Sequence, residues 1–254
     1  MTPDTTITPH APAGNFFTRL IGVYFSPGET FKEIGRNPSF IVPLLTLMLI
    51  GGIGAYALID RVTVPKFFGQ GLEQAVANGQ RTQEQADQQL EMMTKNATWI
   101  KVSFFGTGLI QWALIPLAIA GIFKLISMVM GKENEYKPLF AVTVYAMLAI
   151  ALLSTLVFVI TLYLKPVDEI DVQSLGTTNL GALLEMLLGK DGLPKFIMSL
   201  ARWIDIFAIW MIALLAIGYA AVTRKLKTST AAFALGGLYG AAALIGAIVA
   251  AVRG

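Results

Sequence analysis

Arg202 and Asp205 stand three residues apart at the head of "ARWIDIFAIWMIALLAIGYAAV", an otherwise apolar run over residues 201–222. A carboxylate in such a run can carry protons or ions along a conduction path, can serve an intramembrane enzyme, or can hold a helix end with its charge paired. On one helix, side chains at i and i+3 share a face, so Arg202 and Asp205 are placed to neutralise one another. Trp203 beside them is of the type that gathers at membrane–water boundaries. From Ile206 to Val222 the run is uninterrupted, and Arg224 and Lys225 follow it, where they can snorkel to the far surface. Conduction usually needs several polar or ionisable groups spaced through a bundle. The run 139–164 offers Thr143, Ser154 and Thr155, and the run 40–59 offers Thr46, a sparse set for such a path. The pair therefore reads as an anchor that sets the depth of its helix, with a protonatable Asp205 as the alternative.

Other chemistry has few residues to work with. The 254-residue chain has no cysteine, and its one histidine, His10, sits in a Thr/Pro-rich leader. There is no Ser/His/Asp set, no HExxH and no pair of intramembrane aspartates, so the chain reads as a non-enzyme with no cofactor or metal. The "GGIG" of residues 51–54 follows no strand and cannot cradle a phosphate. Gly236 and Gly240 form a GxxxG, and Gly237/Ala241 and Gly246/Ala250 repeat its small-residue spacing. Such spacing lets helices approach closely, here within the chain or across a dimer.

The elements that must hold these residues are set by composition. The chain is 55% hydrophobic and only 14% charged, where soluble domains average about 25% charged. Its mean hydropathy is +0.66. The net charge of +3 is too mild and dispersed for nucleic-acid binding. Five apolar runs, near 40–59, 102–130, 139–164, 201–222 and 230–252, are each suited to cross the hydrocarbon as a helix. None alternates as a barrel strand would, so the fold class is an all-α polytopic bundle of five transmembrane helices.

The pieces between follow local rules. Residues 1–14 read as a disordered leader, and residues 15–254 as a single membrane domain. Phe16, Phe17, Leu20, Val23 and Tyr24 fall at helical spacing with Arg19 on another side, and Ser26-Pro27 interrupts before the helix resumes. This predicts an interfacial amphipathic helix with a kink, lying on the headgroups or, alternatively, packed on the end of the bundle. Residues 66–98 predict an outer helical hairpin broken at Asn78-Gly79, its second helix capped by Thr82 with Gln85. Leu180, Leu183, Leu184, Leu187 and Leu188 form a stripe on a short interfacial helix ending at Gly189. The segment Arg224 to Ser229 holds three bases and no acid, which favours a cytoplasmic N-terminus and an outer C-terminus.

Three stretches together resemble the bacterial branch of the Yip family, the Ypt/Rab-interacting membrane proteins. They are "LIGVYFSPGETFKEIGRNPSFIVPLL", "MGKENEYKPLFAVTVYAMLAI" and "RWIDIFAIWMIALLAIGYAAVTRKLKTSTA". Ser26, Pro27, Asp205, Phe207 and Trp210 carry the recurrent pattern. The resemblance implies five spans, a cytoplasmic N-terminus and a multi-pass protein of a bacterial inner membrane. Eukaryotic members are linked to Rab GTPases through a longer N-terminal region; the short leader here leaves little room for a GTPase partner. The expected partners are membrane lipids and a protein partner or a second copy. The expected role is to organise membrane or scaffold a complex; a small transporter or channel subunit using Asp205 is the alternative.

Overall fold

The computed structural model describes residues 14–167, 170, 178–189 and 192–253. Residues 1–13 of the leader, His10 among them, and parts of the loop between 165 and 195 lie outside the described residues. The described chain forms helices and no named strand, as an all-α membrane bundle requires. Four helices are long and apolar enough to cross a membrane: α3 (Ile41–Val62), α6 (Ala97–Val129), α7 (Tyr136–Leu164) and α11 (Thr228–Arg253). They correspond to the first, second, third and fifth expected spans.

The fourth expected span differs. Instead of one helix from residue 201, the chain forms α9 (Lys195–Trp203) and α10 (Ile206–Val222), separated at Ile204 and Asp205. Both pieces pack on α11, so the broken pair occupies the place of one continuous helix. The 17 residues of α10 rise about 26 Å at 1.5 Å each, slightly less than the roughly 30 Å hydrocarbon core.

The centre of the bundle is α7. Every residue from Leu139 to Ala151 is buried, the pattern of a helix apolar on all sides. Against it pack α3, α6, α10 and the two front helices, α1 (Phe16–Phe25) and α2 (Pro27–Arg36). Helices α3 and α6 approach closely: a Cβ on Gly108 would lie 2.7 Å from the Gly51 carbonyl oxygen. Small residues permit that crossing, so the glycines of "GGIG" pack helices. Gly236 and Gly240, read as packing positions, have nothing within 4 Å of where a Cβ would stand. These two positions of α11 therefore make no close contact among the described residues.

The front segment is helical and breaks at Ser26-Pro27 as expected, but it folds back on itself. Gly22 meets Thr30, whose Oγ1 would be 2.4 Å from an added Cβ. Helix α2 then runs beside α10 until Gly35 touches Val222. Of the anticipated apolar face, Phe17 alone turns outward, where Ile21 and Phe25 stand with it. Phe16, Leu20, Val23 and Tyr24 pack on the bundle, whereas Phe17, Ile21 and Phe25 are 69%, 58% and 83% exposed. Arg19, expected away from the packed face, is turned inward and is 3% exposed. The physical reason is a partner across the turn, Glu33, which its Nε contacts at 3.2 Å.

The hairpin expected between the first two spans is α4 (Val64–Ala77) and α5 (Gln83–Lys95). Its turn uses Gly79 at φ +68°, and the Thr82/Gln85 capping box is complete. The leucine stripe lies on α8 (Leu180–Leu188), which ends at Gly189 with φ +81°.

Candidate functional site

Asp205 is the N-cap of α10, two residues past the end of α9. Its backbone is extended, at φ −119° and ψ 136°, and its Oδ1 accepts from the amides of Phe207 and Ala208 at 2.9 and 3.0 Å. An N-cap carboxylate satisfies amides that a new helix leaves unpaired, and it complements the positive end of the dipole. Thr178 donates its hydroxyl to Oδ2. Asp205 also pairs with Asn179 as an isolated antiparallel bridge, and the Leu180 amide donates to the Ile204 carbonyl at 2.8 Å. The segment entering α8 is thus laid across the break and occupies a backbone group that the interrupted helix frees. Asn179 in turn caps α8, accepting from the Ala182 amide at 2.9 Å.

Arg202 does not join Asp205. Its Nη2 donates to Glu185 on α8 at 3.1 Å. The i, i+3 pairing needs both residues on one helix, and the cap ends that helix at Trp203. Gly181 allows α8 to lie on α9, since a Cβ there would stand 2.9 Å from the Arg202 amide nitrogen. Tyr239 of α11 donates to the Trp203 carbonyl at 2.8 Å, and the two rings meet edge-on at 5.3 Å. The polar side chains of Asp205 and Arg202 and the ring of Trp203 are thus partnered at the break, while Ile204 and Ile206 beside them are exposed.

The remaining residues of the recurrent pattern link this break to the front helices. Phe207 supplies one of the capped amides and packs on the core. Trp210 lies 5.9 Å from the Tyr24 ring, and Tyr24 donates to the Ala149 carbonyl at 2.6 Å. Ser26-Pro27 forms the turn, with the Ser26 carbonyl accepting from the Thr30 hydroxyl at 2.9 Å. Gly236 and Gly240 take no part.

A second polar cluster sits at the opposite end of α10. The loop 131–135 folds under α6, with Lys124 donating to the Asn134 carbonyl. Asn134 donates to Ser127 Oγ at 2.7 Å and Thr223 Oγ1 at 3.2 Å, and Arg224 contacts Glu133 at 3.4 Å. Beside it opens a cleft of about 710 Å³ whose lining includes Lys32, Arg36, Glu133, Glu135 and Arg224. Lys32 also donates to Glu29 at 2.8 Å, a bond that holds this exposed carboxyl below its usual range. We call this the basic end.

Two features were not anticipated from the residues alone. One is the buried Arg19, which beyond Glu33 donates from Nη1 to the Asn37 carbonyl at 2.9 Å and Ser39 Oγ at 2.8 Å. A single charge in a ten-residue apolar helix was the available signal. The other is the fully buried contact of 2.7 Å between the Thr143 and Tyr219 hydroxyls, with Tyr219 stacked on Phe123 at 3.9 Å. No local pattern joins residues so far apart in the chain.

None of the curated proteins compared and none of the solved structures compared matches this chain. The Yip1 domain family matches residues 21–251, from within α1 almost to the end of α11. The matched stretch takes in the turn at Ser26-Pro27, the capped break at Asp205 and the basic end, and on it we conclude that the chain belongs to the Yip1 domain family.

Proposed function

We propose that this membrane protein is a non-enzymatic organiser of membrane or of a partner complex, acting through its lipid-facing and end surfaces. The observation that supports it is the bundle interior. Among the described residues the buried Arg, Ser and Thr side chains are Arg19, Thr30, Ser127, Thr143 and Thr223. All belong to the half of the bundle nearest the basic end, and each has a hydrogen-bond partner within the chain. Beyond them lies an apolar layer of Leu47, Met147, Leu148 and Ala151, packed by Trp112 and Ile115. A charged species crossing that layer would forfeit its hydration with nothing to replace it.

The rival reading, a small transporter or channel subunit, draws on Asp205 at a break in an apolar span, since broken helices line binding sites in many transporters. Here the carboxylate oxygens are occupied by two amides and a hydroxyl, which favours a structural part. The concentration of Lys132, Lys137, Arg224, Lys225 and Lys227 in short segments at the basic end supports a cytoplasmic N-terminus and an outer C-terminus under the positive-inside rule. Likeness to the bacterial branch supports an inner-membrane location. The protein partner is proposed as a class only, either a second copy or another membrane protein.

Crosslinking in the native membrane followed by mild-detergent purification tests this reading. A partner at fixed stoichiometry supports it. A partner-free protein that passes protons or ions in liposomes, with the flux lost in Asp205→Asn, overturns it.

A further inference from the structure

We propose that α1 is embedded in the acyl-chain region of one leaflet, lying across the bundle as a wedge, with lipid chains covering Phe17, Ile21 and Phe25. The inference rests on the spans crossing the membrane as read above, and it deepens the organising function by naming the part of the chain that acts on lipid.

Position comes first. Phe16 at the start of α1 lies 6.3 Å from the Tyr145 ring, and Tyr24 near its end reaches Ala149. Those residues of α7 are 9 and 13 positions beyond Tyr136, or about 14 and 20 Å along the axis. A ten-residue helix is about 15 Å long, yet α1 advances only about 6 Å along α7. It therefore lies more across α7 than along it, and it is too short to span.

Depth follows from α3, which enters beside α7 with Phe40 on Phe140 at 4.9 Å and Gly54 near Thr155. In that register Leu45 and Leu49 of α3 are level with Tyr145 and Ala149. Leu45 and Leu49 are 58% and 50% exposed, and Ile41 and Val42 before them are exposed too. The outward row of α1 thus continues the apolar exterior of a spanning helix at the same level.

Charge agrees. The one charged residue of α1, Arg19, faces inward on Glu33, Asn37 and Ser39, so α1 offers lipid no ion to desolvate. Helix α2 is the reverse, with Glu29, Lys32 and Arg36 outward as it climbs to the basic end. The headgroup boundary falls along α2, where Lys32 and Arg36 can reach it by snorkelling and Lys32 holds Glu29 as its ion pair at 2.8 Å. Burying three large apolar side chains in acyl chains gives a surface-type helix its hold.

The chain has no cysteine, so single nitroxide labels can be placed in the full-length protein in liposomes. Phe17→Cys, Ile21→Cys and Phe25→Cys are compared with Leu45→Cys as an acyl-depth standard and Lys225→Cys as an aqueous one. All three α1 labels are expected to match the oxygen-over-nickel accessibility of the Leu45 site and to exceed the Lys225 site several-fold. Accessibility equal to the Lys225 site overturns the proposal. So does immobilisation with label–label coupling, which would mean that a second copy covers the face. The three positions are independent, and each is exposed enough for labelling to leave the core intact. Vesicle shape at rising protein density is a separate readout. Acyl depth without any change of shape keeps the wedge and removes the organising function, whereas aqueous labels with altered shape do the opposite.

Discussion

At the scale of single residues, two charges stand out, Asp205 on the amides that open a helix and Arg19 on Glu33, Ser39 and one carbonyl. Asp205 is an N-cap, and an asparagine at such a position accepts from the same amides. Asp205→Asn is therefore expected to leave thermal stability in detergent nearly unchanged, whereas Asp205→Ala should cost about 1 kcal/mol, the usual loss for a removed cap. Equal losses in melting experiments would mean that the carboxylate charge itself matters. Arg19 carries more at stake. Removing one member of a buried, hydrogen-bonded pair typically costs about 3 kcal/mol, because the other is left without its counter-charge. The side chain of Glu33 is 35% exposed and that of Arg19 only 4%, so water can rescue the carboxylate better than the guanidinium. Glu33→Ala should therefore destabilise more than Arg19→Ala, as read by denaturant or thermal midpoints. The reverse order would show that the Asn37 and Ser39 contacts, which outlast the loss of Glu33, dominate.

At the scale of elements, the crossing of α3 and α6 and the open face of α11 give opposite expectations for the same substitution. A Cβ on Gly108 would meet the Gly51 backbone, which no side-chain rotation can relieve. Gly108→Ala should force the helices apart and cost about 2 kcal/mol, within the usual range for overpacking. Gly240→Ala meets open space and should be neutral or stabilising by up to about 0.5 kcal/mol through helix propensity. The measurement is the melting midpoint of each purified variant. Gly240→Leu in the native membrane asks a different question. A monomer fold that survives while a crosslinked species disappears would place a partner on that face. The break between α9 and α10 belongs to this scale too: residues 178–180 and Tyr239 of α11 close it from outside the helix pair, so it is built from three separated segments.

At the scale of the whole molecule, the fully buried Arg, Ser and Thr side chains among the described residues lie in one half, and an apolar layer crosses the bundle beyond them. Liposomes containing the protein are expected to hold a proton or potassium gradient as long as empty ones do, measured with an entrapped dye. A leak that Asp205→Asn abolishes would reverse the functional reading. The same asymmetry puts α1 and α2 beside the basic end and leaves the long hairpin of α4 and α5 at the other.

Composition and run length by themselves determined the all-α membrane class, the four long spans and the helical breaks at Ser26-Pro27, Asn78-Gly79 and Gly189. These depend on local terms: the hydrocarbon thickness, the fixed φ of proline, and the positive φ that glycine tolerates. Tertiary structure alone decided where the charges went. Whether Asp205 lies inside a helix or caps one turns on Thr178 and Asn179, some 26 residues earlier. Whether Arg19 faces lipid or core turns on a turn that brings Glu33 over it. Which glycines pack helices depends on which backbones meet. In each case the sequence presents a side chain with two acceptable environments, and a partner distant along the chain selects one of them.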